Sequence, residues 1–187
     1  MTQRRNWTNA LIVTGANGTA PEPLEVAVAS GRIVVPGRDL GRPGDEIIDC
    51  DGRLVTPAFI DCHIHLVHGG DRARELTRMP PVQKLREAKL PIALATDCNP
   101  GTSPISSLLL TMNMAAVLFR MTVRECFEGV TVNAARALGL GDVTGQIAPG
   151  FSADFAVWNA QSVAQLVNRV GVNPLHSRIF KGTIYNG

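Results

Sequence analysis

Long apolar runs are missing from this chain of 187 residues. No segment approaches the ~20 apolar residues that a membrane helix requires, so no membrane partner is expected. A surplus of one charge is missing too. The 18 basic and 16 acidic residues are mixed along the chain and leave a formal charge of +2, which lacks the electrostatic footprint of a nucleic-acid or anionic-surface binder. Cysteine is sparse: Cys50, Cys62, Cys98 and Cys126 lie far apart with no C-x-x-C spacing. That pattern fits free thiols in a reducing cytoplasm better than a disulfide framework or a cysteine-ligated zinc. Internal repeats and low-complexity tracts are also absent. The N-terminal "MTQRRNWTNALIVTG" starts basic, but its short apolar run is broken by Thr14, Gly15 and Asn17, so it reads as a strand and not as a signal peptide. A cytoplasmic protein is expected.

What is present is a globular composition, 45% hydrophobic, in a chain long enough to bury a core. From Ala10 to Ile60 short β-branched runs alternate with turn residues, and Ser30-Gly31 and Asp51-Gly52 read as hairpin turns between antiparallel strands. The middle changes character. "PPVQKLREAKL" places Val82, Leu85 and Ala88 at helical spacing, and "PIALATD" is a continuous apolar run suited to a buried parallel strand. Ser103-Pro104 offers a cap and a first helical residue for a helix through "SSLLLTMNMAAVLFR". Thr122 and Glu125 form a capping box for a second helix, with Val123, Phe127, Val130, Ala134 and Leu138 on one stripe before Gly139 and Gly141. After Gly141 strands return: "GQIAPGFSADFAVWN" reads as a hairpin, "SVAQLVNRVG" as a short helix, and "SRIFKGTIYNG" as closing strand. Residues 1–57 and 145–187 are therefore expected to pair into one composite β-sandwich domain, beside an α/β segment over 58–144.

Three of the four histidines fall in "FIDCHIHLVHGGDRARE". If "AFIDCHIHL" is a strand, His63 and His65 project to the same face and can chelate one ion, with Zn(II) or Fe(II) suited to two imidazoles. An isolated H-x-H also arises by chance in ordinary strands. Here the pair ends an apolar run, follows Asp61 and precedes Gly69-Gly70 and an arginine, where an active-site loop would begin.

The stretch "LVTPAFIDCHIHLVHGGDRARE" resembles the first-strand motif of the metal-dependent amidohydrolase superfamily. Its Gly-Gly-x-Arg continuation, "PIALATDCNPGTSP" with the helices after it, and "NPLHSRIFKG" are similar to the imidazolonepropionase family, over nearly the whole chain. The resemblance implies a (β/α)₈ TIM barrel beside a small β-sandwich. It implies a hydrolase acting on a small cyclic amide, 4-imidazolone-5-propanoate, opened at a ring carbon–nitrogen bond to N-formimidoyl-L-glutamate in histidine degradation. By the same resemblance His63, His65 and Asp97 hold one Zn(II) or Fe(II), and Asp97 is also the catalytic proton shuttle. Arg72 binds the substrate's propionate, while Asn99, Gly101 and Thr102 line the imidazolone ring. Those residue types suit those roles: a carboxylate takes a proton from water, and a guanidinium fork matches a carboxylate.

The chain is too short for the whole barrel. A (β/α)₈ barrel takes roughly 250 residues, yet residues 66–96, between His65 and Asp97, number only 31. One helix and one strand fit there, where the family places six further strands. No histidine occurs from Gly69 to Leu175, so the family's other metal-binding histidine has no counterpart in this chain. The expectation is a truncated barrel with a weakly held ion, inactive alone and prone to self-association. The alternatives are a non-catalytic binding or assembly module, or another cyclic amidohydrolase.

Overall fold

The structure is a computed structural model that describes residues 3–15, 18–63, 80–99 and 103–186. Eight strands, Arg5–Ile12 (β1), Glu22–Ala29 (β2), Arg32–Gly37 (β3), Glu46–Asp49 (β4), Leu54–Pro57 (β5), Phe155–Trp158 (β6), Leu175–Phe180 (β7) and Thr183–Asn186 (β8), form one sheet. Its order is β3-β2-β1-β5-β6-β7-β8, with β4 also paired to β1. The N-terminal and C-terminal strands meet at β5 and β6, antiparallel from Leu54 opposite Trp158 to Pro57 opposite Phe155. The helices among the described residues are Val82–Glu87 (α1), Leu108–Leu118 (α2), Val123–Gly129 (α3), Val132–Ala137 (α4) and Val163–Asn168 (α5).

Strand alternation explains why the junction is the centre of the molecule. Along β5 and β6, Val55, Phe155 and Val157 face one core, while Leu54, Ala156 and Trp158 face another. The first core also takes Trp7, Ile12, Val26 and Ile179, with Trp7 edge-on to Phe155 at 5.1 Å between ring centroids. The second lies under the helices and holds Met112, Phe127 and Leu166. Trp158 enters it with its indole N–H donating to the buried Thr56 Oγ1 at 2.9 Å. On β1, Trp7 and Ala10 share the first core despite their odd spacing, because the register shifts between them and Asn9 adopts φ of 50°. That bulge resets which side chains face inward.

The sandwich expected from the termini is one continuous sheet curled over its own core. The turn between β2 and β3 reaches the far end of the sheet: Ala153 N donates to Gly31 O at 2.9 Å, and Gly182 N to Ala153 O at 3.0 Å. A Cβ on Gly31 would lie 3.0 Å from Lys181 O, so glycine there, at φ of 73°, lets the two hairpin turns touch.

Ser30-Gly31 turns the β2–β3 hairpin as expected, and α1, α5 and the β7–β8 pair also match their sequence signals. Other expectations are corrected. Asp51-Gly52 is a turn but not a hairpin, since β4 and β5 both run parallel to β1 along one side of it. The chain steps around the β1 bulge there, with Gly52 N bonded to Asn9 O at 2.8 Å. Residues 146–154 make no strand of their own; "GQIAPGFSADFAVWN" contributes only β6. Ser103 does not cap α2, which starts at Leu108 behind Ser107, whose side chain accepts from Leu110 N. The helix expected from Thr122 to Leu138 is broken at Val130–Thr131, and Leu138 is exposed. Its cause is tertiary: the carbonyls of Gly129 and Val130 accept from Leu94 N at 2.9 Å and Ile60 N at 2.8 Å, donors outside the helix. The capping box at Thr122 and Glu125 is present.

Candidate metal centre

Residues 58–63 and 91–98 lie side by side, although neither forms a regular strand, which corrects the strand expected for each. Cys62 Sγ lies 3.7 Å from Leu94 O as a donor, and Asp97 N donates to His63 O at 3.0 Å. Beside these contacts the Asp61 carboxylate takes both polar groups of Thr96. Thr96 N donates to Oδ1 at 3.1 Å and Thr96 Oγ1 to Oδ2 at 2.5 Å. Side-chain bonds thus do here what a backbone ladder does in a sheet. The outer side of residues 91–98 is anchored to the helices by Leu94 N on Gly129 O and by Asn133 Nδ2 on Ile92 O at 3.0 Å.

This apposition brings His63 and Asp97 together from positions 34 apart in the chain, with Nε2 and Oδ1 separated by 3.6 Å. Two ligand atoms each ~2.1 Å from a tetrahedral ion lie ~3.4 Å apart, so the gap suits a shared ion. Both side chains are open to solvent, at 60% and 38% exposure. Asp97 sits at φ of 49°, a left-handed conformation that aspartate tolerates better than most residues. The backbone around it is held by Asn99 Nδ2 on Asp97 O at 2.6 Å, Asn99 N on Ser103 O at 2.9 Å and Ser103 Oγ on Thr96 O at 2.7 Å. A cavity of about 510 Å³, lined in part by Leu94, Thr96, Asp97, Ser103, Met114 and Phe119, opens beside it.

His65, Arg72, Gly101 and Thr102 lie outside the described residues. Of the expected metal donors, His63 and Asp97 are therefore the ones the structure brings together, and no group of three or more potential ligands occurs among the described residues. The pair fits part of a nitrogen–oxygen ligand set, short of the three or four protein ligands such ions take. Asn99 is buried, its side-chain amide on the Asp97 carbonyl, so it shapes the turn after the carboxylate. Sequence reasoning passed over Asp61 and Thr96 as site-building residues. Asp61 stands two positions before a histidine, on the same face of an extended segment, but nothing in the sequence points to Thr96 as its partner. The cysteines are free; burial holds the Cys50 thiol up at about 12 and the Cys126 thiol at about 11, both unreactive.

A single sheet that joins the two ends of the chain, beside paired segments presenting a histidine and an aspartate, is the arrangement that a match to a hydrolase family explains. The family model described as "Amidohydrolase family" matches residues 67–187, and the chain belongs to that family. Among curated proteins it is 64% identical over 137 residues to the imidazolonepropionase of Rhizorhabdus wittichii, which takes in 73% of this chain and 34% of that enzyme. It is 50% identical over 145 residues to the imidazolonepropionase of Paracoccus denitrificans, covering 78% of this chain and 34% of that one. The chain spans about a third of the length of these relatives. Among solved structures, E. coli guanine deaminase superposes with a TM-score of 0.77 at 10% identity, covering 100% of both chains, which shows a shared fold.

Proposed function

We propose that this chain is an imidazolonepropionase-type hydrolase reduced to one wall of its site. The observation that supports it best is the 3.6 Å approach of His63 Nε2 to Asp97 Oδ1. His63 and Asp97, with His65, would hold the ion, Zn(II) or Fe(II). A bound ion there supplies Lewis acidity for hydrolysis of a cyclic amide carbon–nitrogen bond. Asp97, solvent-open and fixed by its turn, is the group to accept a proton from attacking water at its carboxylate. Arg72 is the residue to pair with a propionate, and Asn99, Gly101 and Thr102 are the residues that would border the ring. The substrate in this reading is 4-imidazolone-5-propanoate, in the cytoplasm.

Two of the three protein functions that such hydrolysis needs are underprovided. Positioning, proton transfer and electrostatic stabilisation each contribute orders of magnitude in rate, and a donor pair does not enclose a substrate. The isolated chain is therefore expected to bind the ion weakly and to show no turnover of imidazolonepropionate above background, with added Zn(II) or Fe(II). Loss of substrate ultraviolet absorbance measures this, beside His63→Ala and Asp97→Asn. Metal-dependent turnover that vanishes in both variants would show that the remaining wall suffices or that a second chain completes it. The apolar helix α2, with Val117 67% and Leu118 49% exposed, favours a second part of the reading, self-association through that face.

A further inference from the structure

We propose that Asp61 is a positioning residue: its carboxylate, clamped on Thr96, sets Asp97 against His63. Several observations converge on this assignment. Thr96 is buried and immediately precedes Asp97, and both its backbone N–H and its hydroxyl are spent on the two oxygens of Asp61. The same hydroxyl oxygen accepts from Cys98 N at 3.2 Å, on the other side of Asp97. Asp61 thus reaches both neighbours of Asp97, one directly and one through Thr96 Oγ1. On its own segment Asp61 lies two residues before His63, so a single carboxylate links the approach to both members of the pair.

The need for such a clamp follows from what else joins the two segments. Among the described residues, the backbone contact between them is Asp97 N on His63 O, and the Cys62 thiol is a weak donor at 3.7 Å. One backbone bond between extended segments leaves their register loosely defined. A carboxylate accepting from two donors on one residue fixes both position and orientation. Slippage by one residue would turn Asp97 to the opposite face, away from His63.

The inference deepens the metal reading, and its test separates the two. In metal-free protein, NMR hydrogen exchange at the Asp97 amide reports the apposition directly, and a Co(II) titration followed by visible absorbance reports the donor pair. Asp61→Ala and Thr96→Val are expected to speed exchange at Asp97 at least tenfold and to weaken Co(II) binding at least tenfold. Thr96→Ser keeps both bonds to Asp61 and should stay within twofold of the parent in both readouts. The Ile60 amide, bonded to Val130 O on the same segment, should keep its protection throughout. If Asp61→Ala leaves Asp97 exchange within twofold, or speeds Ile60 equally, Asp61 is merely structural and the inference is overturned. Should that variant not fold, the Thr96→Val and Thr96→Ser pair decides in the same way. A parent that takes up no Co(II), while Asp97 exchange responds as stated, sinks the metal reading and sustains the clamp. A parent that binds Co(II) with undiminished affinity in Asp61→Ala does the reverse.

Discussion

Gly129→Ala sets two effects against each other at the place where residues 91–98 rest on the helices. Alanine is the better helix former, worth up to about 1 kcal/mol in a helix interior and less at the last residue of α3. Against that, a Cβ on Gly129 would stand 2.9 Å from Leu94 Cγ, 3.2 Å from Cδ1 and 3.3 Å from Cβ. A change of χ1 would move Cγ and Cδ1 but not Cβ, and Leu94 is packed against the helical core, so relief needs both a new rotamer in a packed site and a small retreat of the Leu94 backbone. Retreat is opposed by the Leu94 N bond to Gly129 O at 2.9 Å. Overpacking of this kind costs about 1–3 kcal/mol, so the clash wins and a net loss of about 1–2 kcal/mol is expected. Urea unfolding followed by tryptophan fluorescence measures it. Leu94→Ala should lose stability by itself, yet the double variant should lose less than the sum of the two, because removing the leucine removes the clash. A Gly129→Ala protein as stable as the parent, or additive losses in the cycle, would refute the close approach.

The Arg86 guanidinium grips Glu125 through two bonds of 2.6 and 2.7 Å and also donates to Arg120 O, tying α1 to the start of α3. That pairing, with the capping bonds from Thr122, lowers the Glu125 carboxyl to about 2. A lowered folded-state value gives stability that is present above the usual value near 4.5 and is lost as pH falls toward about 2. Because the pair is partly exposed, about 1–2 kcal/mol should disappear across that window; urea titrations at several pH values should show a flatter acid slope in Arg86→Met, and an unchanged slope would count against the linkage. For self-association, light scattering at tens of micromolar should find dimers or larger species of the parent, and Val117→Asp should shift them to monomer; a monodisperse parent monomer would show that the α2 face needs no cover.

Legibility in the sequence tracked how local each determinant is. The capping box at Thr122 and the Ser30-Gly31 turn are set by neighbours within a few residues, and each was readable. The helix break at Val130–Thr131 was not, because its cause is a pair of donors, Ile60 and Leu94, far away in sequence. The parallel pairing of β4 and β5 to β1 was equally hidden: Asp51-Gly52 is a good turn whichever strand the chain joins next. At the candidate site His63 and Asp97 were legible through their motifs. Asp61 and Thr96 were not, since a carboxylate–threonine clamp leaves no periodicity and only coordinates reveal that the two residues face each other.

Why the pair survives in so short a chain follows from the geometry of a closed barrel. In an eight-stranded barrel the first and last strands are neighbours, because closure requires it. The family resemblance assigns residues 58–63 to the first strand and 91–98 to the last, so losing the strands between them leaves two segments that were already in contact. Cys62 against Leu94, Asp61 against Thr96 and His63 against Asp97 hold the two segments together. What cannot survive is the opposite wall. Closure also covers both edges of each barrel strand, so losing neighbouring strands removes that cover. The loss of those neighbours leaves the α2 face with Val117 and Leu118 exposed, so under the proposed function an absence of turnover and self-association are expected together.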